Sequence, residues 1–326
     1  MISPTSSSSS LRSSSSISPS TSSSSSSSSR SATYVTVTTA YTGSTTSTST
    51  IPPSGTAPGT VVIHTPIPTL DCDPSGYLVQ IKDLYRVNIT TGSITLIKSG
   101  LTAGTRSLTL NAMGYNIGDN FLYAATWGTQ PFDLVRISGA GDCVSMGSLN
   151  ITFSSTCGEV DENSQYWAAA AGTDWIQVDL KPGSPTYGRT VNKGTATINA
   201  TVADWAYVPK RGNYLWALGA DSTSRTAPGG SNTYLMRFDR AGQNWTTVTK
   251  FGDLAGSSSS RNLWGAVYAT DDGFLYGSEN NSGEVWKFPI PNNGVGIPSG
   301  TPFKYSDGPK SSGGNDGARC IKAANI

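Results

Sequence analysis

One five-residue pattern limits what this chain can become. It reads Asp83-Leu-Tyr-Arg-Val87, then Asp133-Leu-Val-Arg-Ile137, Asp174-Trp-Ile-Gln-Val178, Tyr234-Leu-Met-Arg-Phe238 and Glu284-Val-Trp-Lys-Phe288. Each copy alternates apolar and polar residues over a strand's length. A shorter aromatic run precedes each copy: Tyr77-Leu-Val79, Phe121-Leu-Tyr123, Tyr166-Trp167, Tyr214-Leu-Trp216 and Phe274-Leu-Tyr276. Another strand comes before that in four units, as in Asn111–Tyr115, Cys157–Asp161, Asp204–Tyr207 and Gly265–Tyr268. A further strand follows in most of them, as in Ser93–Ile97 and Trp245–Val248. Gly, Asn, Asp and Ser separate these runs, the composition of tight turns. Four strands per unit, repeating every ~40–60 residues, is the pattern of a β-propeller. The pattern gives five blades, or six if the weakly patterned stretch 288–312 holds another. No apolar spacing of 3.6 residues occurs, so the fold class is all-β.

The first unit lacks its first strand. Asp316-Gly-Ala-Arg-Cys320, near the end of the sequence, is a strand without a unit. Supplying the missing strand closes the ring and removes two sheet edges. The four cysteines allow three pairings. Cys72 precedes the second strand of the first unit, and Cys320 lies in the strand that should join it. A Cys72–Cys320 bond is therefore expected, with Cys143–Cys157 linking two consecutive blades.

The remainder of the chain differs in composition. Residues 1–69 are rich in Ser and Thr and poor in large apolar residues, so they are expected to form a disordered stalk ahead of a domain at 70–326. The only histidine, His64, falls in that first part. Net charge is +1 and charged residues make up 13% of the chain, with no basic stripe to attract nucleic acid. No apolar run approaches the ~18 residues of a membrane span. Asn88, Asn150, Asn199, Asn244 and Asn280 head Asn-x-Ser/Thr sequons. Together with an even cysteine count they indicate an extracellular or cell-wall protein that is N-glycosylated. Residues 1–30 contain only Ile2, Leu11 and Ile17 as large aliphatics, so no signal-peptide core is expected in them.

Two resemblances bear on this. Residues 34–66, ending Gly59-Thr-Val-Val-Ile-His-Thr-Pro66, resemble the Thr-rich repeat of fungal flocculins and cell-wall adhesins. Gly114–Tyr123, Val160-Asp-Glu-Asn163, residues 202–209 and Asn315–Cys320 resemble a propeller-like domain of unknown function in fungal and bacterial surface proteins. That second resemblance covers 70–323. It implies a propeller in an extracellular setting and brings no activity.

Topology then predicts a binding face. In a four-stranded meander, the blade-to-blade links and the loops between strands two and three emerge on one face. The innermost strands start there too, around the central channel. The channel mouth should present Asn111, Glu159, Asp204, Asn262 and Asp316, surrounded by the loops Thr126–Phe132 with Trp127, Gly219–Asn232 with Arg225, and Glu279–Gly283. Asp204 and Asp316 have two readings. As turn residues they would accept backbone hydrogen bonds where strands begin. As a ring of oxygens they would suit sugar hydroxyls or a hard cation such as Ca²⁺, although the fold itself requires no cofactor. Trp127 sits in a loop that contains Gly128 and Pro131 and would suit stacking against a sugar ring, or would cap its blade. Val160-Asp-Glu-Asn163 and Ala269–Gly273 look acidic enough for metal but fall on the opposite face, as solvated turns. Ser-His-Asp and Cys-His catalysis lack a histidine in the domain.

The expectation is a monomeric binding or adhesion module whose partner is a polysaccharide or cell-surface glycan. The alternatives are a metal-dependent propeller hydrolase or lactonase, and a purely structural surface protein.

Overall fold

A computed structural model describes residues 67–128, 130–221, 232–254, 262–311 and 313–326. The chain divides into Met1–Ile67 and Pro68–Ile326, and the second unit is the subject below. The Ser/Thr-rich stalk with its adhesin-like repeat, and Arg225, lie outside the described residues.

Five four-stranded antiparallel sheets form the blades of a propeller. Blade 2 is Leu110–Asn116, Phe121–Thr126, Asp133–Ile137 and Cys143–Ser148, from the axis outward. Blade 3 is Cys157–Val160, Gln165–Ala169, Asp174–Asp179 and Arg189–Thr195. Blade 4 is Thr201–Tyr207, Tyr214–Ala220, Thr233–Asp239 and Asn244–Gly252. Blade 5 is Trp264–Ala269, Phe274–Glu279, Glu284–Pro289 and Phe303–Asp307. The stretch 288–312 thus completes blade 5 with its outer strand and holds no sixth blade. Blade 1 takes Asn315–Arg319 as its innermost strand, followed by Gly76–Gln80, Asp83–Val87 and Ile94–Lys98. The closing pair is in register from Gly76 opposite Arg319 to Gln80 opposite Asn315. A two-residue hairpin, Thr102–Ala103 with Arg106–Ser107, links blades 1 and 2. The only helical turn among the described residues is Asn292–Gly294.

The recurring pattern has a packing explanation. Each blade buries both faces against its neighbours, so its first three strands are mostly buried, while the outer strands are largely exposed. Between blades 3 and 4 the core is aromatic. Trp175 and Trp205 both pack on Phe238, with ring centroids 5.8 and 5.7 Å away. Trp264 meets Phe288 edge-on at 5.0 Å in the core between blades 4 and 5. The long polar side chain of the third strand lies over the aromatic that opens the second. Arg136 covers Phe121 at 4.7 Å, Arg237 covers Tyr214 at 4.4 Å, and Lys287 covers Phe274 at 4.1 Å. The cationic group packs over the ring face, and the stem covers further apolar surface.

Cys72 and Cys320 are joined, tying the closing strand to the segment that leads into blade 1. A sequence separation of 248 makes this worth roughly 5 kcal/mol in the chain-entropy picture. The expected Cys143–Cys157 bond is absent, and both thiols are free. Cys143 opens an outer strand and Cys157 opens an inner one. Alternation of strand direction puts those two starts on opposite faces and at opposite edges. The Cys157 thiol donates to the Val202 carbonyl instead, at 3.4 Å.

Candidate functional site: an uncharged funnel on the propeller axis

The innermost strands are sheet edges that face one another. Their inward N–H groups have no strand to pair with, and water cannot satisfy them in a closed interior. Irregularity adds to the demand. The inner strand slips register between Asn111 and Gly114 in blade 2, between Val202 and Trp205 in blade 4, and between Trp264 and Ala266 in blade 5. Such bulges free N–H groups and aim them off the ladder. Ala112, in the first bulge, has a φ of +55°, where a β-carbon is disfavoured.

Acidic side chains from neighbouring blades meet that demand. Asp316 of blade 1 accepts from the Ala112 and Met113 N–H groups of blade 2, at 3.0 and 2.8 Å. Asp204 of blade 4 accepts from Val267 of blade 5 at 2.6 Å and from Gly158 of blade 3 at 3.4 Å. Glu159 of blade 3 accepts from Tyr207 of blade 4 at 3.3 Å. The three carboxyls therefore join all five inner strands. Burial pushes each of them well above the usual carboxylate range. The charge of Asp316 adds to this for Asp204, and that of Glu159 adds to it for Asp316.

This corrects the expected channel mouth. Asp204 and Asp316 are 0% exposed and Glu159 is 3% exposed, and none of them lines the mouth. Asp204 is the fourth residue of a strand that begins at Thr201, so it lies deeper than a strand start would place it. Neither reading from sequence describes these acids fully. They do accept backbone N–H groups, but across blades rather than within a turn. Asn262 is also withdrawn from the mouth. Its amide donates to Thr233 Oγ1 and Asp253 Oδ1, at 3.1 and 3.3 Å.

Above the carboxyls is a funnel of about 540 Å³. Every blade lines it. Asn111 and Trp127 come from blade 2, Thr156 and Ala171 from blade 3, and residues 201–203 from blade 4. Leu263, Gly265, Asn280 and Asn281 come from blade 5, and residues 313–315 lead into blade 1. No charged side chain is among them. Trp127, half-buried, stands in the loop after Phe121–Thr126. Its N–H donates to the Thr109 carbonyl at 2.8 Å, and the next N–H, of Gly128, donates to Ser154 Oγ at 3.2 Å. The loop is thereby tied to the following blade, and the indole is held at the rim.

Two amides define the interior. Asn111 uses Oδ1 to accept from the Ala112 N–H at 2.8 Å. Asn280 uses Oδ1 to accept from Asn315 Nδ2 at 2.8 Å, and Asn315 Oδ1 accepts from Gln80 Nε2 at 3.3 Å. With both oxygens engaged, each amide turns its NH₂ group toward other partners. Among the described residues, none accepts from Asn111 Nδ2 or Asn280 Nδ2. Gly265 makes room for this arrangement, since a β-carbon there would lie 2.4 Å from the Asn280 amide.

Asn111 and Trp127 are the expected residues that line the funnel. Asn280 and Asn281 belong to the Glu279–Gly283 loop expected around the mouth, while Asn315 and Thr156 were not anticipated there. Asn280-Asn-Ser282 reads as a glycosylation signal, which masks the role of Asn280 at the mouth. Asn280 is 7% exposed, so its side chain has no room for an attached oligosaccharide in the folded domain. Asn88, Asn150, Asn199 and Asn244 are exposed.

On the opposite face the acidic turns are structural. Asp161 accepts from the N–H groups of Asn163 and Gln165, at 2.9 and 3.0 Å. Its other oxygen accepts from Trp167 Nε1 at 2.9 Å and pairs with buried Arg240 at 2.5 Å. Among the described residues no group of three His, Cys, Asp or Glu side chains is placed to hold a metal ion.

The molecule is thus a five-bladed propeller with a closed axis and a neutral funnel over it. The chain belongs to the family described as "Repeat of unknown function (DUF6923)", which matches residues 77–322. No match was found among curated proteins. Among solved structures the chain is similar to the Dos1 propeller, at 10% identity and a TM-score of 0.41 over 70% of this chain and 57% of that one. It therefore spans little more than half of that relative's length. A chain of a nidogen/laminin complex matches at 8% identity and a TM-score of 0.42, over 76% of this chain and 99% of that one. The PQQ-bound aldose sugar dehydrogenase of Streptomyces coelicolor matches at 14% identity and 0.41, over 73% and 83%. No residue role or activity is carried across at such distances.

Proposed function

We propose that the domain is a secreted or cell-wall-associated binding module that takes carbohydrate in the axial funnel. One observation carries this reading. The funnel combines amide NH₂ donors, threonine residues and an indole at its rim, and among the described residues has no charged side chain in its lining. Sugars are recognised by such sets, with amides meeting hydroxyls and an aromatic face meeting the C–H face of the ring. A disulfide, and the absence among the described residues of any helix long and apolar enough to cross a membrane, are compatible with an extracellular place. The Ser/Thr-rich tract would carry the module away from a surface.

The hydrolase or lactonase reading would need the axial carboxyls as ligands or acid–base groups. Their oxygens are engaged with backbone N–H groups and lie below the funnel, which favours binding over chemistry.

The direct experiment is a glycan and cell-wall polysaccharide screen with the full chain, run with Ca²⁺ and with chelator. Saturable binding that is lost in Trp127→Ala and unaffected by chelator is the expected result. Binding lost on chelation would move weight to a metal-dependent site. No binding in either condition would sink the carbohydrate reading in favour of a protein partner or a structural role.

A further inference from the structure

We infer that the funnel recognises the end of an uncharged sugar chain, inserted along the propeller axis, and not the middle of a polymer lying across the face. This rests on the carbohydrate reading above and adds which part of a glycan is bound.

The funnel is blind. The inner strand of blade 1 touches those of blades 3 and 4, which are not its ring neighbours, so the strands meet across the axis. A β-carbon on Gly158 would lie 1.9 Å from the Ala112 carbonyl carbon, which shows how closely the inner strands of blades 2 and 3 approach. Asp204 and Asp316 are fully buried beneath. No chain can pass through such an axis.

The donors lie inside the funnel and not on its rim. Asn111 and Asn280 are 4% and 7% exposed. A polymer resting on the face would meet Trp127 and leave both NH₂ groups unused. A chain end that enters can bring acceptor oxygens to them while its first ring stacks on the indole. The volume of 540 Å³ is within the ~300–1,000 Å³ of small-ligand sites.

The charge pattern selects neutral sugars. Glu279, 0% exposed, sits behind the lining with Asn281 Nδ2 donating to it at 2.8 Å. Among the described residues no Lys or Arg lines the funnel to balance an incoming carboxylate. A uronic acid at the chain end would lose its hydration beside Glu279 with no cation among the described lining residues to meet it.

The experiment uses the full chain and soluble linear α-glucan, β-glucan, galactan and mannan, each intact and partly hydrolysed. For whichever binds, affinity per unit mass should rise with the number of ends, about tenfold when mean length falls tenfold. Fragments ending in a uronic acid should bind at least about tenfold more weakly than their neutral counterparts. The Asn111→Ala/Asn280→Ala variant should lose about tenfold or more in affinity. Should that variant misfold, Ala203→Trp, which fills the funnel from blade 4, should abolish binding on its own. Affinity per mass that ignores the number of ends overturns end recognition and leaves the carbohydrate reading intact. Equal binding of uronate-ended fragments overturns the selection for neutral sugars. Binding by no polymer or fragment overturns this inference and the carbohydrate reading together.

Discussion

The same inner strands build two regions with opposite economies of hydrogen bonding. Below, Asp316, Asp204 and Glu159 accept the stray N–H groups of neighbouring blades, and those groups are matched inside the protein. Above, Asn111 and Asn280 have their oxygens engaged and their NH₂ groups left over. The two levels are only a few residues apart along each strand. The difference separates what holds the ring shut from what is available to a ligand. Acids at the axis suggest catalysis or metal binding when read alone. In place, they act as interblade fasteners, and the neutral amides above them form the candidate site.

The sharpest way to break this comparison is to remove a fastener. Asp316→Ala leaves the Met113 N–H buried without its acceptor and the Ala112 N–H with only Asn111 Oδ1, and should cost about 2–3 kcal/mol, at ~1–3 kcal/mol per orphaned group. Denaturant titration reads it directly. A loss under about 1 kcal/mol would mean that water or another group replaces the carboxyl.

Next in size is the dependence on pH. The folded-state pKa values of Asp204, Asp316 and Glu159 are raised above their unfolded values. Between the two values the folded state holds more protons, so stability falls as pH rises. It is highest near the unfolded carboxylate range and declines as pH climbs through neutral. Asp179 works in the other direction. Although burial raises its pKa, four hydrogen bonds bring it down to about 2. Its contribution is full above the unfolded value of 3.8 and is lost as pH falls toward 2. Melting scans from acid to neutral pH should peak at mildly acidic pH, with a fall of about 2–4 °C for each kcal/mol lost above it. Asp204→Asn should flatten the falling limb. A curve that rises steadily to pH 8 would contradict the buried, proton-holding axis.

Above the axis the expectation reverses. Asn111→Ala should reduce ligand affinity by about tenfold, or ~1.4 kcal/mol, while shifting the unfolding midpoint far less than Asp316→Ala does. Equal effects on stability from both would erase the distinction between the two levels.

The smallest effect is on the sequons. Glycopeptide mass spectrometry of secreted material should find sugar at some or all of Asn88, Asn150, Asn199 and Asn244, and none at Asn280. Full occupancy at Asn280 would mean that the mouth is open while the chain is being modified.

The fold was legible in sequence to an unusual depth because alternation, aromatics and long polar side chains recur at fixed places in every blade. The closing strand was legible because Asp316–Cys320 had no unit of its own and Cys320 had a partner in Cys72. The depth of the carboxyls was not. It depends on bulges at Ala112, Val202 and Trp264, which no residue pattern marks. Cys143 and Cys157 looked pairable because a linear reading omits which face a strand starts on. Trp127 and Asn111 were found because loops and strand starts on one face can be counted. The loop Glu279–Gly283 was placed at the mouth, but the role of Asn280 within it was masked by its own motif, since Asn-Asn-Ser satisfies the rule for a surface sugar while its side chain fits the space left by Gly265.

The ring closure also sets a timetable. Strand Gly76–Gln80 leaves the ribosome well ahead of its partner Asn315–Arg319, which lies roughly 240 residues further along the chain. At ~5–20 residues per second, the first strand waits roughly 10–50 s with one edge unpaired. Throughout that interval the nascent chain is an open row of blades with a vacancy at its oldest end. The domain becomes a ring only once Asn315–Arg319 has emerged, and the link between Cys72 and Cys320 can be made only then.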